Sequence, residues 1–536
     1  MATQRLPKAS GGCPMPRRPA RGATARPPTL HRAAGSWPQV ITAGTACALA
    51  SGVVLAAGES GQGRTLALVP SISVTQTFTD NHLLSDLGRS DAITRLNAGV
   101  GLRTRSSAMQ GLLDYSLSGD LHARHSGRNS VQNALNASLL ADLVENRLRL
   151  NASATISQGA VSAFGVQPGS TSSTNANSTE VRTLQVAPSL RGVLGPWMQY
   201  TASLSHAISD ASGGGNGDSA NTSLTVRLEP RAASRIGWSV DASHLTSDFK
   251  EGRATESTRL LAALRGNLDE LDLVVNVRGG VEQSDLTSLQ RNDEATWGLG
   301  AAWAPSPRTR FSVDLDQRAF GRSHSISAQH RMARLSFSYQ NTRSLSTSGN
   351  LAQGGQDVIY QLVALEFASI TDPVLRDAAI RRRLIELNLD PTRVPSVGFL
   401  SSAATLQHSQ VFSIVWSGPR DSVSASVSRS NTQRADTVST VADDLSQSDD
   451  VALSNVSVSW SHRLTPSSSL ALTLTAVRGN GDAAAQSNRQ TRMELAYNTS
   501  LTRESFATVS LRRGLYKTAL QPYDESALTA SYGIRF

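Results

Sequence analysis

From Leu66 to the carboxyl terminus, hydrophobic and polar positions alternate with a period of two, the pattern of a strand whose faces meet different media. Leu66 to Thr79 sets Ile72, Val74 and Phe78 opposite Ser71, Ser73, Thr75, Thr77 and Thr79. Ala92 to Thr104 sets Leu96, Ala98, Val100 and Leu102 against Arg95, Asn97, Gly99, Gly101 and Arg103. Leu113 to Ala123 opposes Leu113, Tyr115, Leu117 and Leu121 to Asp114, Ser116, Ser118, Asp120 and His122. Leu135 to Ile156 reads as a hairpin turning at Val144-Glu145-Asn146-Arg147, and the last stretch puts Leu528, Ala530, Tyr532, Ile534 and Phe536 on one face. Each segment approaches the roughly 9–11 residues that a tilted strand needs to cross a bilayer. A soluble sandwich strand has the same period, so no single segment decides between the two.

The connections decide more. Tight turns are expected near Gly195-Pro196, Pro230-Arg231, Asp269-Glu270, Pro305 to Arg308, Gly418-Pro419-Arg420, Pro466 to Ser469 and Arg503-Glu504. Between them lie longer stretches rich in Ser, Asn, Gly and Asp, at Ser157 to Glu180, Asp210 to Ser219, Asp285 to Asp293, Ser430 to Asp450 and Gly479 to Asn488. Short turns on one rim and long loops on the other mark an outer-membrane barrel, with the short side periplasmic. The pattern therefore predicts an all-β chain, a transmembrane antiparallel up-and-down β-barrel of about 22 strands (about 20–24) over residues 66–536. An even number puts both barrel ends on the short-turn rim. One insertion, residues 353–404, breaks the period. Asp372-Pro373 followed by Val374 to Leu387 reads as a helix that stops at Asp390-Pro391, and Val358 to Phe367 as a short helix or strand extension. It is too apolar for a solvated loop and is expected to constrict the pore or cover its mouth.

Composition leaves this picture standing. The chain is 39% hydrophobic and 5% aromatic, and beyond its amino-terminal leader no stretch approaches the roughly 20 apolar residues of a membrane helix. A barrel passes unnoticed by that test because half of each strand faces inward. Residues 1–57 read as a signal peptide. Arg5, Lys8, Arg17, Arg18, Arg21, Arg26 and Arg32 precede the apolar run Val40 to Ala57 with no acidic residue among them. The long basic part admits a start at Met15; neither a twin-arginine context nor a lipid-attachment site at Cys47 is well formed. Residues 58–65 then form a short linker. Subtracting the leader's seven cations from the formal +9 leaves +2, so the charge does not call for nucleic acid. Both cysteines, Cys13 and Cys47, also lie in the leader, so the remainder has neither disulfides nor thiolate chemistry.

Candidate chemistry is sparse. No metal motif, phosphate loop or nucleophile elbow is present: Gly213-Gly214-Gly215-Asn216-Gly217 lacks the Lys-Ser/Thr that a phosphate loop requires, and the ten histidines include no helical His-x-x-x-His pair. The chain is expected to be no enzyme, with no cofactor and no metal. Its densest charge is Arg376 with Arg381, Arg382 and Arg383. These guanidiniums are either a solvated helix face balanced by Asp377 and Glu386, or pore contacts for an anionic polymer or lipid phosphate.

Val69-Pro70-Ser71-Ile72-Ser73-Val74-Thr75-Gln76-Thr77-Phe78-Thr79-Asp80-Asn81 resembles the opening of the outer-membrane barrel family associated with the PEP-CTERM/exosortase exopolysaccharide system, departing from its pattern at Gln76 and Phe78. Leu113 to Leu117, Leu135-Asn136-Ala137, Ile156-Ser157-Gln158, Phe164-Gly165, the insertion and the terminal Phe536 extend the likeness over residues 66–536. It implies a Gram-negative outer membrane and a conduit or accessory role in exopolysaccharide export or biosynthesis, with polysaccharide and export proteins as partners, and it supplies no catalytic residues. The alternatives are a general porin or small-solute channel, and a structural or adhesive surface protein. Any barrel reading implies outer-membrane lipid, lipopolysaccharide and the barrel-assembly machinery as partners. That machinery is expected to read Tyr532, Ile534 and Phe536.

Overall fold

The structure, a computed structural model, describes residues 65–536 apart from 85, 87, 168–176, 214–216, 233, 350–363, 365–366, 368–375, 377–378, 381–397, 436–442, 484–485 and 519–521. The expected signal peptide, most of the linker and most of the 353–404 insertion lie outside the described residues.

The strands follow one another around a single sheet. They are β1 (Thr65–Thr79), β2 (Asp91–Arg105), β3 (Met109–His122), β4 (Ser130–Val144), β5 (Leu148–Ala160) and β6 (Ser178–Leu194). Next come β7 (Met198–Ala211), β8 (Ser219–Pro230), β9 (Ile236–Phe249), β10 (Thr255–Leu268), β11 (Leu273–Ser284) and β12 (Asn292–Ser306). They continue through β13 (Thr309–Arg318), β14 (Gly321–Arg331), β15 (Leu335–Ser346), β16 (Thr405–Ser417) and β17 (Asp421–Arg434). The series ends with β18 (Asp450–Thr465), β19 (Ser468–Asn480), β20 (Ser487–Ser500), β21 (Ser505–Thr518) and β22 (Pro522–Arg535). Each pairs antiparallel with the next, and β22 returns to β1 from Ser71↔Arg535 to Thr79↔Ala527. The result is a closed 22-stranded up-and-down barrel in which no strand keeps an unpaired edge.

The tight connections form one rim, where the turn chemistry is local. Asn146 (φ 56°) and Gly195 (φ 65°) adopt the left-handed conformation that lets strands reverse within a few residues. Register shifts on β4, β12 and β18 fall next to these turns. The other rim carries the longer connections, including 161–177, 347–404 and 435–449. Two connections there depart from the expected alternation: β21 and β22 are joined by residues 519–521, and β13 and β14 by Ala319–Phe320 alone, with Gly321 at φ 102° closing the turn. The residues 347–404 join neighbouring strands β15 and β16, so the insertion leaves the strand order intact.

Burial is inverted relative to a soluble protein. Along the strands, apolar side chains such as Ile72, Leu264, Val277 and Leu511 are exposed outside, and buried positions are largely Ser, Thr, Asp, Glu and Arg facing inward. Three buried apolar clusters occur among the described residues, and all gather at the long-loop mouth.

Candidate functional site

Inward positions carry charges in opposed pairs. Arg95 on β2 faces Asp120 on β3 in register and donates two hydrogen bonds of 2.5 Å to its carboxylate. Arg278 on β11 reaches across the whole of β12 to Asp314 (3.0 Å) and Asp316 (3.1 Å) on β13. Gly298 and Gly300 on β12 leave room for it: a Cβ at 298 would lie 2.1 Å from Asp316 Oδ1 and 2.9 Å from Arg278 Nε. Arg318 holds the buried Glu282 at 2.7 Å, and Ser257 donates to the same carboxylate at 3.1 Å. At the seam, Arg512 on β21 and Thr79 on β1 both donate to Glu525 on β22, at 2.7 and 3.0 Å. Pairing of this kind is what charges require when ring closure takes them out of water.

Exposure of the pairs grows toward the short-turn rim. On β2 and β3 the upper pair, Arg95 and Asp120, has side chains 8% and 2% exposed, and the lower pair, Arg103 and Asp114, 36% and 21%. Arg227 and Asp241, 3.0 Å apart on β8 and β9, are likewise accessible. The inward charge pairs are thus more accessible near the short-turn rim than toward the long loops. Between β16 and β18 the inward positions change character, to the buried hydroxyls of Ser413, Ser424, Ser426, Ser428 and Ser459.

Segments far apart in sequence meet at the long-loop mouth. Residues 398–404 lie against the 161–167 segment after β5: Gly398 N donates to Gln167 Oε1 (3.2 Å) and Leu400 N to Val161 O (3.4 Å). Ser401 N reaches Gly349 O at 2.9 Å, and Gly217 N, between β7 and β8, donates to Ser402 Oγ at 3.3 Å. Two neighbouring carboxylates latch these strands of chain together. Asp443 accepts from Ser401 Oγ (3.1 Å) and Arg434 Nη2 (2.9 Å). Asp444, opening the single helical turn Asp444–Gln447, accepts from Ala163 N (2.6 Å) and Ser162 Oγ (2.9 Å). Burial pushes the Asp444 carboxyl above the usual range and the nearby Asp443 charge adds to this, against the opposing effect of its two donors. Beneath the latch Phe399, Ala163, Leu445, Val451 and Leu453 pack into one apolar cluster with Phe164 at its edge. On the far side, Asn488 and Gln490 of β20 donate to Gly165 O. The segments that follow β5 and β7 therefore meet those that precede β16 and β18, and side chains of β20, at the long-loop end.

The outer wall shows what surrounds the barrel. An apolar band runs through Leu224, Leu260, Val277, Leu299, Phe412, Val427, Val456, Leu474, Met493 and Leu511, all exposed. Aromatic rings border it at the short-turn rim: Trp197, Trp238, Trp303, Phe311, Trp416, Tyr497, Tyr532 and Phe536. Above the band the same outward face turns polar, with His206, His244, His324 and His408 on its strands. A register row there reads Gln410↔Arg429↔Ser454↔Arg478↔Arg489↔Lys517 across six strands. An apolar belt closed into a ring and edged by aromatics requires lipid around it. The chain is a transmembrane β-barrel.

No family model matches this barrel, and no curated protein does. Among solved structures it is similar to the FrpB iron transporter from Neisseria meningitidis, at 9% identity and a TM-score of 0.44 over 87% of this chain and 81% of that one. The siderophore receptor PirA from Pseudomonas aeruginosa is similar at 9% identity and a TM-score of 0.41, over 88% of this chain and 81% of that one. OccK5 (OpdH) of Pseudomonas aeruginosa is similar at 9% identity and 0.32, over 88% and 98%. At such identities no solute or partner carries over.

Of the residues singled out in the sequence, Arg376 is helical and half-buried, and Ile380 nearby is buried. Arg381, Arg382 and Arg383 lie outside the described residues. Tyr532 and Phe536 stand exposed on the barrel's outer face, and Ile534 pairs with Ser505 on β21. An apolar depression lined by Leu271, Leu273, Ala301, Trp303, Phe311 and Val313 also belongs to this outer face, where it meets lipid and no solute path. Sequence reading missed the latch. Asp443 and Asp444 sit in a stretch expected to be a polar loop, and their partners are as many as 282 positions away. It also missed a histidine group at the other side of the mouth, whose one local trace is His122-x-x-His125.

Proposed function

We propose that this protein is an outer-membrane channel of a Gram-negative bacterium that passes small solutes through a mouth gated by its own loops. The observation that carries the reading is the latched closure of 398–404 against 161–167 and 443–444 above a wet, charge-lined vestibule. Barrels of this strand number enclose a lumen too wide to be left open, and closure at one end gives a resting state that admits solutes only when the latch yields. The short-turn rim is periplasmic in this orientation. The outward row Arg429, Arg478, Arg489 and Lys517 then meets the phosphates of lipopolysaccharide in the outer leaflet. Planar-bilayer recording tests the gate. The intact protein is expected to show small, infrequent openings, and Phe399→Ala, which empties the cluster under the latch, to raise both their frequency and their size. Equal conductance of the two proteins contradicts a gate at this position.

A second reading, a conduit for exopolysaccharide, is favoured by the run of inward serines on β16–β18, buried in this state, because Ser both donates and accepts and so suits sugar hydroxyls once exposed. Deleting the gene from its host and measuring surface polysaccharide separates the readings. Lost export supports the conduit, and unchanged polysaccharide with slower small-solute uptake supports the solute channel.

A further inference from the structure

A group of histidines at the long-loop end of the seam has no part in the gate. His82 follows β1, Asp91 opens β2, His122 ends β3, and His125 lies in the connection to β4. One ligand atom each from His82, Asp91 and His125 can be chosen so that all three lie within 4.8 Å of one another. The His82 and His125 rings stack at 4.2 Å between centroids.

The tautomer of His82 is set by its neighbours. Its Nδ1 lies 2.8 Å from Arg89 O, which can only accept, so Nδ1 carries the proton and Nε2 carries the lone pair. That Nε2 is buried and, among the described residues, has no hydrogen-bond partner, in a residue only 3% exposed. A buried imidazole with one nitrogen pinned to a carbonyl and the other presenting an unused lone pair is the arrangement of a metal-ligating histidine. The Asp91 carboxylate is held for the same role, and the part-exposed His125 ring need only turn out of its stack on His82 to bring its lone pair to the same point. Asp91 Oδ1 is fixed by the backbone N–H groups of Ala92 (2.8 Å) and Arg124 (3.0 Å). Its Oδ2 lies 3.1 Å from Nδ1 of both His122 and His125. Two donors on one tetrahedral ion, each about 2.0–2.2 Å from it, stand about 3.4 Å apart, close to the spacing that Asp91 and His125 already have.

We propose that His82, Asp91 and His125 bind a divalent transition-metal ion of the zinc class, with His122 positioning the Asp91 carboxylate and water filling the fourth place. The ion takes the position of the proton that His125 and Asp91 share, and that proton is released to solvent. Imidazole with one carboxylate favours zinc-type ions over calcium or magnesium, which prefer oxygen. The site would cross-link the loops at the closing seam. The segment carrying His82 is already bound to β22, through Asp80 N to Ser526 O (3.1 Å) and Asn81 Nδ2 to Asp524 O (3.0 Å), and the ion would extend the link to the β3–β4 connection.

The test uses the untagged full-length protein in detergent, stripped with chelator and titrated with Co2+. The expected result is one equivalent bound with the visible band of four-coordinate cobalt, displaced by Zn2+. Zn2+ should also raise the temperature at which folded gel mobility is lost. His82→Ala and His125→Ala should both abolish the band. His408→Ala should keep it, since His408 belongs to a separate histidine pair with His324. Folded gel mobility shows which variants are barrels, and His125, with a ring 30% exposed, decides the matter if His82→Ala folds poorly. Absence of saturable cobalt binding by the parent protein, or binding that survives His125→Ala, overturns the proposal.

Discussion

Gly298 shows how one missing side chain sets the inner wall. Arg278 spans β12 to reach Asp314 and Asp316 because nothing stands over β12 at 298 and 300. Gly298→Ala should push Asp316 off Arg278 and lower the barrel's resistance to denaturant by about 1–3 kcal/mol, the usual range for an over-packed site. A shift in urea midpoint measures this. Asp444 sets a second expectation at the same scale. Its carboxyl is raised above its unfolded value of about 3.9, so the folded mouth holds that proton more tightly than the open one. Its contribution is therefore fully present below the unfolded pKa and is lost as pH rises through the raised folded value. Hydrogen-exchange protection of Ala163 N–H, the latch donor, should rise as pH falls across that window. Asp444→Asn should flatten the dependence, and an unaltered profile in that variant would show that another group controls it.

At the scale of elements, the strands were legible and the mouth was not. Strand positions follow from nearest-neighbour chemistry: apolar and polar residues alternate through Leu96 to Arg103 because one wall meets lipid, and the turn at Val144 to Arg147 forms because Asn146 tolerates a positive φ. The closure of the mouth follows from no local rule. Ala163 meets Asp444, and Gly398 meets Gln167, across hundreds of intervening positions, and each segment alone reads as a polar loop. The histidine group was hidden for the same reason, since His82 and Asp91 join His125 only after β1, β2 and β3 are paired. The terminal strand yields a further prediction. Tyr532 and Phe536 stand on the lipid-facing wall, and Phe536 N donates to Pro70 O at 2.9 Å, so the last peptide is held without its ring. Phe536→Ala should reduce the fraction of chains assembled in cells while leaving the melting of assembled barrels nearly unchanged. Equal assembly of the two would remove the ring from any part in recognition.

At the scale of the molecule, the outer apolar belt fixes the barrel in lipid, the paired charges let its inner wall stay polar, and the apolar material that a soluble protein would keep at its centre is gathered at one end as a stopper. On the proposed reading the vestibule is accessible from the short-turn side and shut from the long-loop side. Residues 58–536 contain no cysteine, so one introduced thiol reports access directly. Ala302, exposed on the inward face of β12 near the short-turn rim, is a suitable position. Intact cells carrying Ala302→Cys would be treated with a maleimide too bulky for the host's own porins. No labelling is expected until the outer membrane is broken, and labelling in intact cells is expected once Phe399→Ala is added. Labelling of Ala302→Cys in intact cells with Phe399 in place would contradict a closed mouth.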